Sequence, residues 1–100
     1  MIILKTKISI NELIPIINHV NIIDIRSIQS YNNNHIPNSV NIPFETLILH
    51  PHDYLDKSKT YYIYCQKGLS SESLCKILNN IGYTVIEIEG GYENWIMNAK

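Results

Sequence analysis

The apolar positions of this chain fall into two alternating kinds of run. Asn21-Ile22-Ile23-Asp24-Ile25-Arg26 and Thr60-Tyr61-Tyr62-Ile63-Tyr64 are short, β-branched or aromatic and apolar on both faces, the pattern of strands buried in a parallel sheet. Thr84-Val85-Ile86-Glu87-Ile88 predicts a third, more half-buried strand. Ser39-Val40-Asn41-Ile42 predicts a brief fourth, and Lys7-Ile8 part of an edge strand. Between the second and third main runs, Ser71, Leu74, Cys75, Leu78 and Ile81 recur at helical spacing, and Gly82 follows where a left-handed C-terminal cap belongs. Ser9-Ile10-Asn11-Glu12 reads as a capping box, yet Pro15 lies inside the helix it would open, so that helix is short or kinked. Further helices are predicted after Ser27, over Phe44 to Leu49, and after Gly90-Gly91, the last carrying Trp95. Strands alternating with helices make this an α/β chain. Three strand-to-helix connections, after Arg26, Ile42 and Tyr64, open at strand carboxyl ends, where open parallel sheets collect ligands.

With 100 residues the chain supports one core, so a single domain over 1–100 is expected. The net charge is −1, with Arg26 the only arginine, which argues against a phosphate-backbone binder; no nucleic acid is expected as a direct partner. No apolar run approaches the ~20 residues of a membrane span, and Met1-Ile2-Ile3-Leu4 is too brief for a signal-peptide core. A cytoplasmic protein without membrane contact is therefore expected. Cys65 and Cys75 are the only cysteines, too few for a disulfide framework and too far apart for a zinc knuckle. Reduced thiols, no metal and no cofactor are expected.

The stretch with chemistry in it is Tyr64-Cys65-Gln66-Lys67-Gly68-Leu69-Ser70-Ser71: a cysteine directly after a buried strand, a glycine that allows a tight turn, then serines able to open a helix. If the backbone N–H groups of Gln66 to Ser71 point inward, they form a nest that adds to the positive end of the helix and favours an anion at its centre. The sulfur of Cys65 would be that anion. A partly buried helix terminus contributes up to ~2 kcal/mol and each charge-assisted hydrogen bond ~1.5–3 kcal/mol, so no histidine base is required. Cys75 sits on the apolar helical stripe and reads as core packing rather than a resolving thiol.

These motifs resemble a single-domain rhodanese over nearly the whole chain, from Ser9 to Trp95. Asp24-Ile25-Arg26 resembles that family's Asp-x-Arg strand end. Tyr31 through Pro43 resembles its Tyr...Gly-His-Ile-Pro-Gly-Ala...Pro segment, and Cys65-Gln66-Lys67-Gly68 its active loop. Ile81-Gly82-Tyr83 and Gly90-Gly91-Tyr92 with Trp95 resemble the borders of its last strand. The resemblance implies an open sheet of about five parallel strands with helices on both faces. It also implies transfer of sulfane sulfur, from thiosulfate or another persulfide donor, through a Cys65 persulfide to cyanide or a thiol, with Gln66, Lys67, Gly68, Leu69, Ser70 and Ser71 around the substrate. A persulfide carrier with a protein relay partner, or a silent binding module, is the alternative.

Departures from the family pattern bear on both fold and donor. Asn34 and Asn38 stand where glycine is usual, and asparagine is the next-best occupant of left-handed backbone. Ser70 stands where many relatives carry an arginine. Lys67 is either its replacement or a solvated surface lysine. No arginine follows Cys65, so phosphoryl transfer, which needs a fixed cation, is not expected. Asp24, with Arg26, is expected to hold loop backbone, and His35 to make loop hydrogen bonds. His50 and His52 are expected to be exposed loop residues rather than metal ligands.

Overall fold

The computed structural model describes residues 5–99, so the stretch Met1 to Leu4 lies outside the described residues. The elements run β1 (Lys7–Ile8), α1 (Ile10–Leu13), a 3-10 turn (Ile14–Ile16), β2 (Asn21–Asp24), α2 (Ile28–Asn33) and β3 (Ser39–Asn41). There follow α3 (Phe44–Leu49), α4 (Pro51–Tyr54), β4 (Thr60–Tyr64), α5 (Leu69–Asn80), β5 (Thr84–Ile88) and α6 (Gly91–Asn98). The strands form one five-stranded sheet in the order β1-β5-β4-β2-β3, with every pairing parallel.

Strand alternation sends the apolar residues into two layers. Ile22, Tyr64, Ile86 and Ile88 pack with Ile10, Leu13 and Tyr92 on the face covered by α1 and α6. Ile23, Tyr61, Ile63 and Val85 pack with Leu47, Leu74 and Leu78 on the face covered by α3 and α5. A sheet clothed on both sides is why its central strands carry apolar residues at successive positions.

Local chemistry sets the element ends. The Ser9 hydroxyl accepts from the Glu12 N–H (3.1 Å), and the Glu12 carboxylate accepts from the Ser9 N–H (3.0 Å), completing the capping box. Pro15 then tightens the next turn into 3-10 geometry. At the end of α5, Tyr83 N–H donates to Leu78 O (3.0 Å) and Gly82 N–H to Asn79 O (3.2 Å), with Gly82 at φ 103°: a Schellman cap. Ile81, expected on the buried stripe, sits at this cap, where the helical period has ended, and is 49% exposed.

Three expectations need correction. β2 stops at Asp24 rather than Arg26, because the Asp24 carboxylate captures the Arg26 N–H (2.8 Å) and turns the chain. Asn38 does adopt left-handed backbone (φ 71°), but Asn34 is extended (φ −171°), a conformation open to any residue, so glycine has no advantage there. The segment around His52 is not loop but the single turn α4, which Pro51 opens at a helix's first position.

Candidate active site

Cys65 is the first residue past β4, on the α5 side of the sheet, and is 8% exposed. Its sulfur accepts hydrogen bonds from the Gly68 N–H (3.1 Å) and the Ser71 N–H (3.3 Å). The thiol donates to the Ser71 hydroxyl oxygen (3.4 Å), and that hydroxyl donates to Gly68 O (3.2 Å). Gly68 turns the chain at φ 101°, which brings the first turn of α5 over the sulfur. Two main-chain donors and a helix N-terminus thus converge on Sγ, an arrangement that favours negative charge there. The cradle is narrower than a ring running from Gln66 to Ser71: the N–H groups of Gln66, Lys67, Leu69 and Ser70 make no hydrogen bond to the sulfur.

Above Cys65 a cavity of about 220 Å³ is lined by Cys65, Gln66, Lys67, Leu69 and Ser70. Lys67 and Ser70 are exposed, and Leu69 projects outward with 73% of its surface accessible. Lys67 is the one cation lining this mouth among the described residues. The Gln66 side chain turns the other way, accepting from Arg26 Nη1 (3.2 Å).

Arg26 belongs to a buried network beneath the loop. Its Nε and Nη2 donate to Asp24 (2.8–3.2 Å), and Nη2 also donates to Asn34 O (2.7 Å). Tyr64 Oη donates to Asp24 Oδ2 (2.6 Å). The Asp24 side chain is fully buried, and two donors plus a backbone N–H offset the desolvation of its charge. Burial works against the Arg26 charge, but the Asp24 hydrogen bonds and charge outweigh it and leave the guanidinium above its ordinary range. Burial, then the hydrogen bond to Asp24, pushes the Tyr64 phenol up in the same network. Asp24 and Arg26 therefore support the loop from below and do not line the mouth.

His35 does not line the cavity at Cys65. Its Nδ1 lies 2.8 Å from Tyr31 O, and its ring stacks on Tyr31 with centroids 3.8 Å apart. Cys75 is buried on α5, where burial, then Glu87, pushes the thiol up to about 12. His50 and His52 are exposed beside Asp53. No group of three or more metal-capable side chains occurs among the described residues. The Ser71 hydroxyl and the Arg26–Gln66 bridge are contributions that sequence reading missed. Ser71 carried a signal, being a polar residue on an otherwise apolar helical stripe.

The sequence model of the Rhodanese-like domain matches residues 9–98. The chain is 32% identical over 97 residues to a putative sulfurtransferase YtwF of Bacillus subtilis, covering 97% of this chain and 87% of that protein. It is 33% identical over 75 residues to a thiosulfate sulfurtransferase GlpE of Coxiella burnetii, covering 74% and 69%. A tRNA sulfurtransferase of Thermoplasma acidophilum is 40% identical over 81 residues, which are 81% of this chain but 16% of that longer one. Among solved structures, SSP1007 of Staphylococcus saprophyticus superimposes with a TM-score of 0.82 at 30% identity, covering 90% of this chain and 92% of the other. A rhodanese-related protein of Thermoplasma volcanium gives 0.83 at 27% identity, covering 92% and 91%.

Proposed function

The chain belongs to the rhodanese-like domain family of sulfurtransferases, and from that premise we propose that Cys65 is its nucleophile and a sulfane sulfur its cargo. The Cys65 thiolate attacks the outer sulfur of thiosulfate. A sulfur–sulfur bond forms at Cys65, the bond to the sulfonate sulfur breaks, and sulfite leaves with the electron pair. A thiolate or cyanide then attacks the outer sulfur of the Cys65 persulfide, yielding an acceptor persulfide or thiocyanate and returning the Cys65 thiolate. Both steps are redox-balanced transfers of one sulfur atom and need no cofactor.

The observation that carries this reading is the convergence of the Gly68 and Ser71 amides on one sulfur. Such donors stabilise the thiolate before reaction and the charged persulfide after it, with little reorganisation between the two. Thiosulfate as donor is supported by relatives named thiosulfate sulfurtransferase and by Lys67 at the mouth. Incubating the protein with thiosulfate and weighing it tests the reading. One added sulfur atom on Cys65, discharged by cyanide, is the expected result; an unchanged mass rejects it.

A persulfide carrier is the second reading, favoured by a mouth with a single exposed cation and by the serine at position 70. In that case a protein donor loads Cys65 and an acceptor pathway unloads it. Rapid loading by a protein persulfide with negligible thiosulfate:cyanide turnover distinguishes the carrier from the enzyme. Direct contact with nucleic acid is no part of either reading, because the chain has a net charge of −1 and one arginine.

A further inference from the structure

The start of α6 lies against the back of the active loop. The Tyr92 N–H donates to Cys65 O (2.8 Å) and the Glu93 N–H to Gln66 O (3.0 Å). In a trans peptide the N–H points opposite to the C=O. Drawing these two carbonyls toward α6 therefore aims the amides of Gln66 and Lys67 away from it. Contact this close leaves no room for a side chain: a Cβ on Gly91 would sit 2.3 Å from Cys65 O and 2.9 Å from the Gln66 carbonyl carbon and oxygen. Gly68 packs on the same helix start, its Cβ position 3.2 Å from Gly90 N. Arg26 ties the two sides together, donating to Gln66 Oε1 (3.2 Å) while its guanidinium carbon lies 4.2 Å from the Tyr92 ring centroid.

We propose that the N-terminus of α6 is a positioning element for sulfur transfer: the Tyr92 and Glu93 amides and the bare Gly91 orient the Gln66 and Lys67 peptide planes so that their N–H groups receive the sulfur added to Cys65. The inference rests on the sulfurtransferase reading above and extends it. Gly68 and Ser71 hold the cysteine sulfur itself, while the Gln66 and Lys67 amides, two of the four loop amides that make no bond to that sulfur, are kept for the incoming atom. Gly91 is a positioning residue. It touches the loop backbone and never the sulfur.

The test measures single-turnover persulfide formation by mass in wild type, Gly91→Ala, Glu93→Pro and Ile96→Gly. Gly91→Ala displaces the Cys65 carbonyl. Glu93→Pro deletes one donor within the first helical turn, where proline is best tolerated. Ile96→Gly weakens α6 at an exposed position away from the loop. Both loop-facing variants should load sulfur about tenfold or more slowly per folded molecule, as displacements near 1 Å at a reacting centre do, with Ile96→Gly unchanged. Folded variants that load at the wild-type rate overturn the inference. So does a loss equally large in Ile96→Gly. Should a variant not fold, the wild-type protein decides: the Gln66 and Lys67 amide proton resonances should move downfield on persulfidation, and static resonances refute the proposal. A wild type that takes up no sulfur fails the sulfurtransferase reading instead, and this extension falls with it.

Discussion

Cys65 and Cys75 make a controlled comparison within one molecule. Both are buried, at 8% and 4% exposure, and both belong to the same core cluster beside α5. Cys65 stands at a strand end with two amides and a helix N-terminus aimed at its sulfur. Cys75 lies midway along the helix, where burial and then the Glu87 carboxylate push the thiol up to about 12. Two cysteines of similar exposure therefore sit in different surroundings: main-chain donors converge on the Cys65 sulfur, whereas burial without such donors keeps the Cys75 thiol neutral.

The largest effect expected from breaking that contrast is in Cys65→Ala. Sulfur transfer should fall to the uncatalysed background while near-ultraviolet circular dichroism and thermal melting stay close to wild type; retained turnover would move the nucleophile elsewhere. Next comes native-state alkylation followed by peptide mass mapping. Burial, then Glu87, keeps the Cys75 thiol protonated at pH 8, so label should accumulate on Cys65 and reach Cys75 only after denaturation. Cys75→Ser, which replaces a sulfur packed in the core cluster with a more strongly hydrated hydroxyl, should lower unfolding free energy by about 1–3 kcal/mol in denaturant titrations and leave persulfide loading within about twofold. Lys67→Ala should raise the KM for thiosulfate a few-fold and spare a neutral donor, consistent with ~1 kcal/mol for an exposed charge contact; equal losses would deny Lys67 an anion-binding role.

The smallest effect sharpens the Cys75 side of the comparison. Burial, then Glu72, raises the Glu87 carboxyl above its ordinary 4.5, so the folded state prefers it protonated. Its contribution to stability is therefore fully present below 4.5 and declines as the pH climbs toward the raised value, beyond which the penalty is constant. Glu87→Gln should accordingly stabilise the protein at neutral pH and give no gain in acid, as read from melting temperature against pH.

What could be read in advance divides along the range of the interactions. The capping box at Ser9, the cap at Gly82 and the strand over Thr60–Tyr64 depend on residues a few positions apart, and all three occur where local pattern puts them. The cradle followed the same rule in part, because Cys65, Gly68 and Ser71 are near neighbours. Which amides reach the sulfur depends on the path of the Gln66–Lys67 segment, and that path is bent by Arg26 from β2 and by α6, both distant in sequence. Asn34 misled for a related reason. Its carbonyl is claimed by Arg26, in a setting that no residue count beside His35 could disclose.

The Ser71 hydroxyl has a single hydrogen and two claimants, Gly68 O at 3.2 Å and the Cys65 sulfur at 3.4 Å. While the thiol keeps its own hydrogen, the serine oxygen receives it and sends its hydrogen to the carbonyl. Once that hydrogen is gone, the rotor is free to swing and spend its bond on the bare sulfur. Rotation of one O–H bond is thus enough to answer the ionisation, because the serine oxygen already lies within reach of both partners.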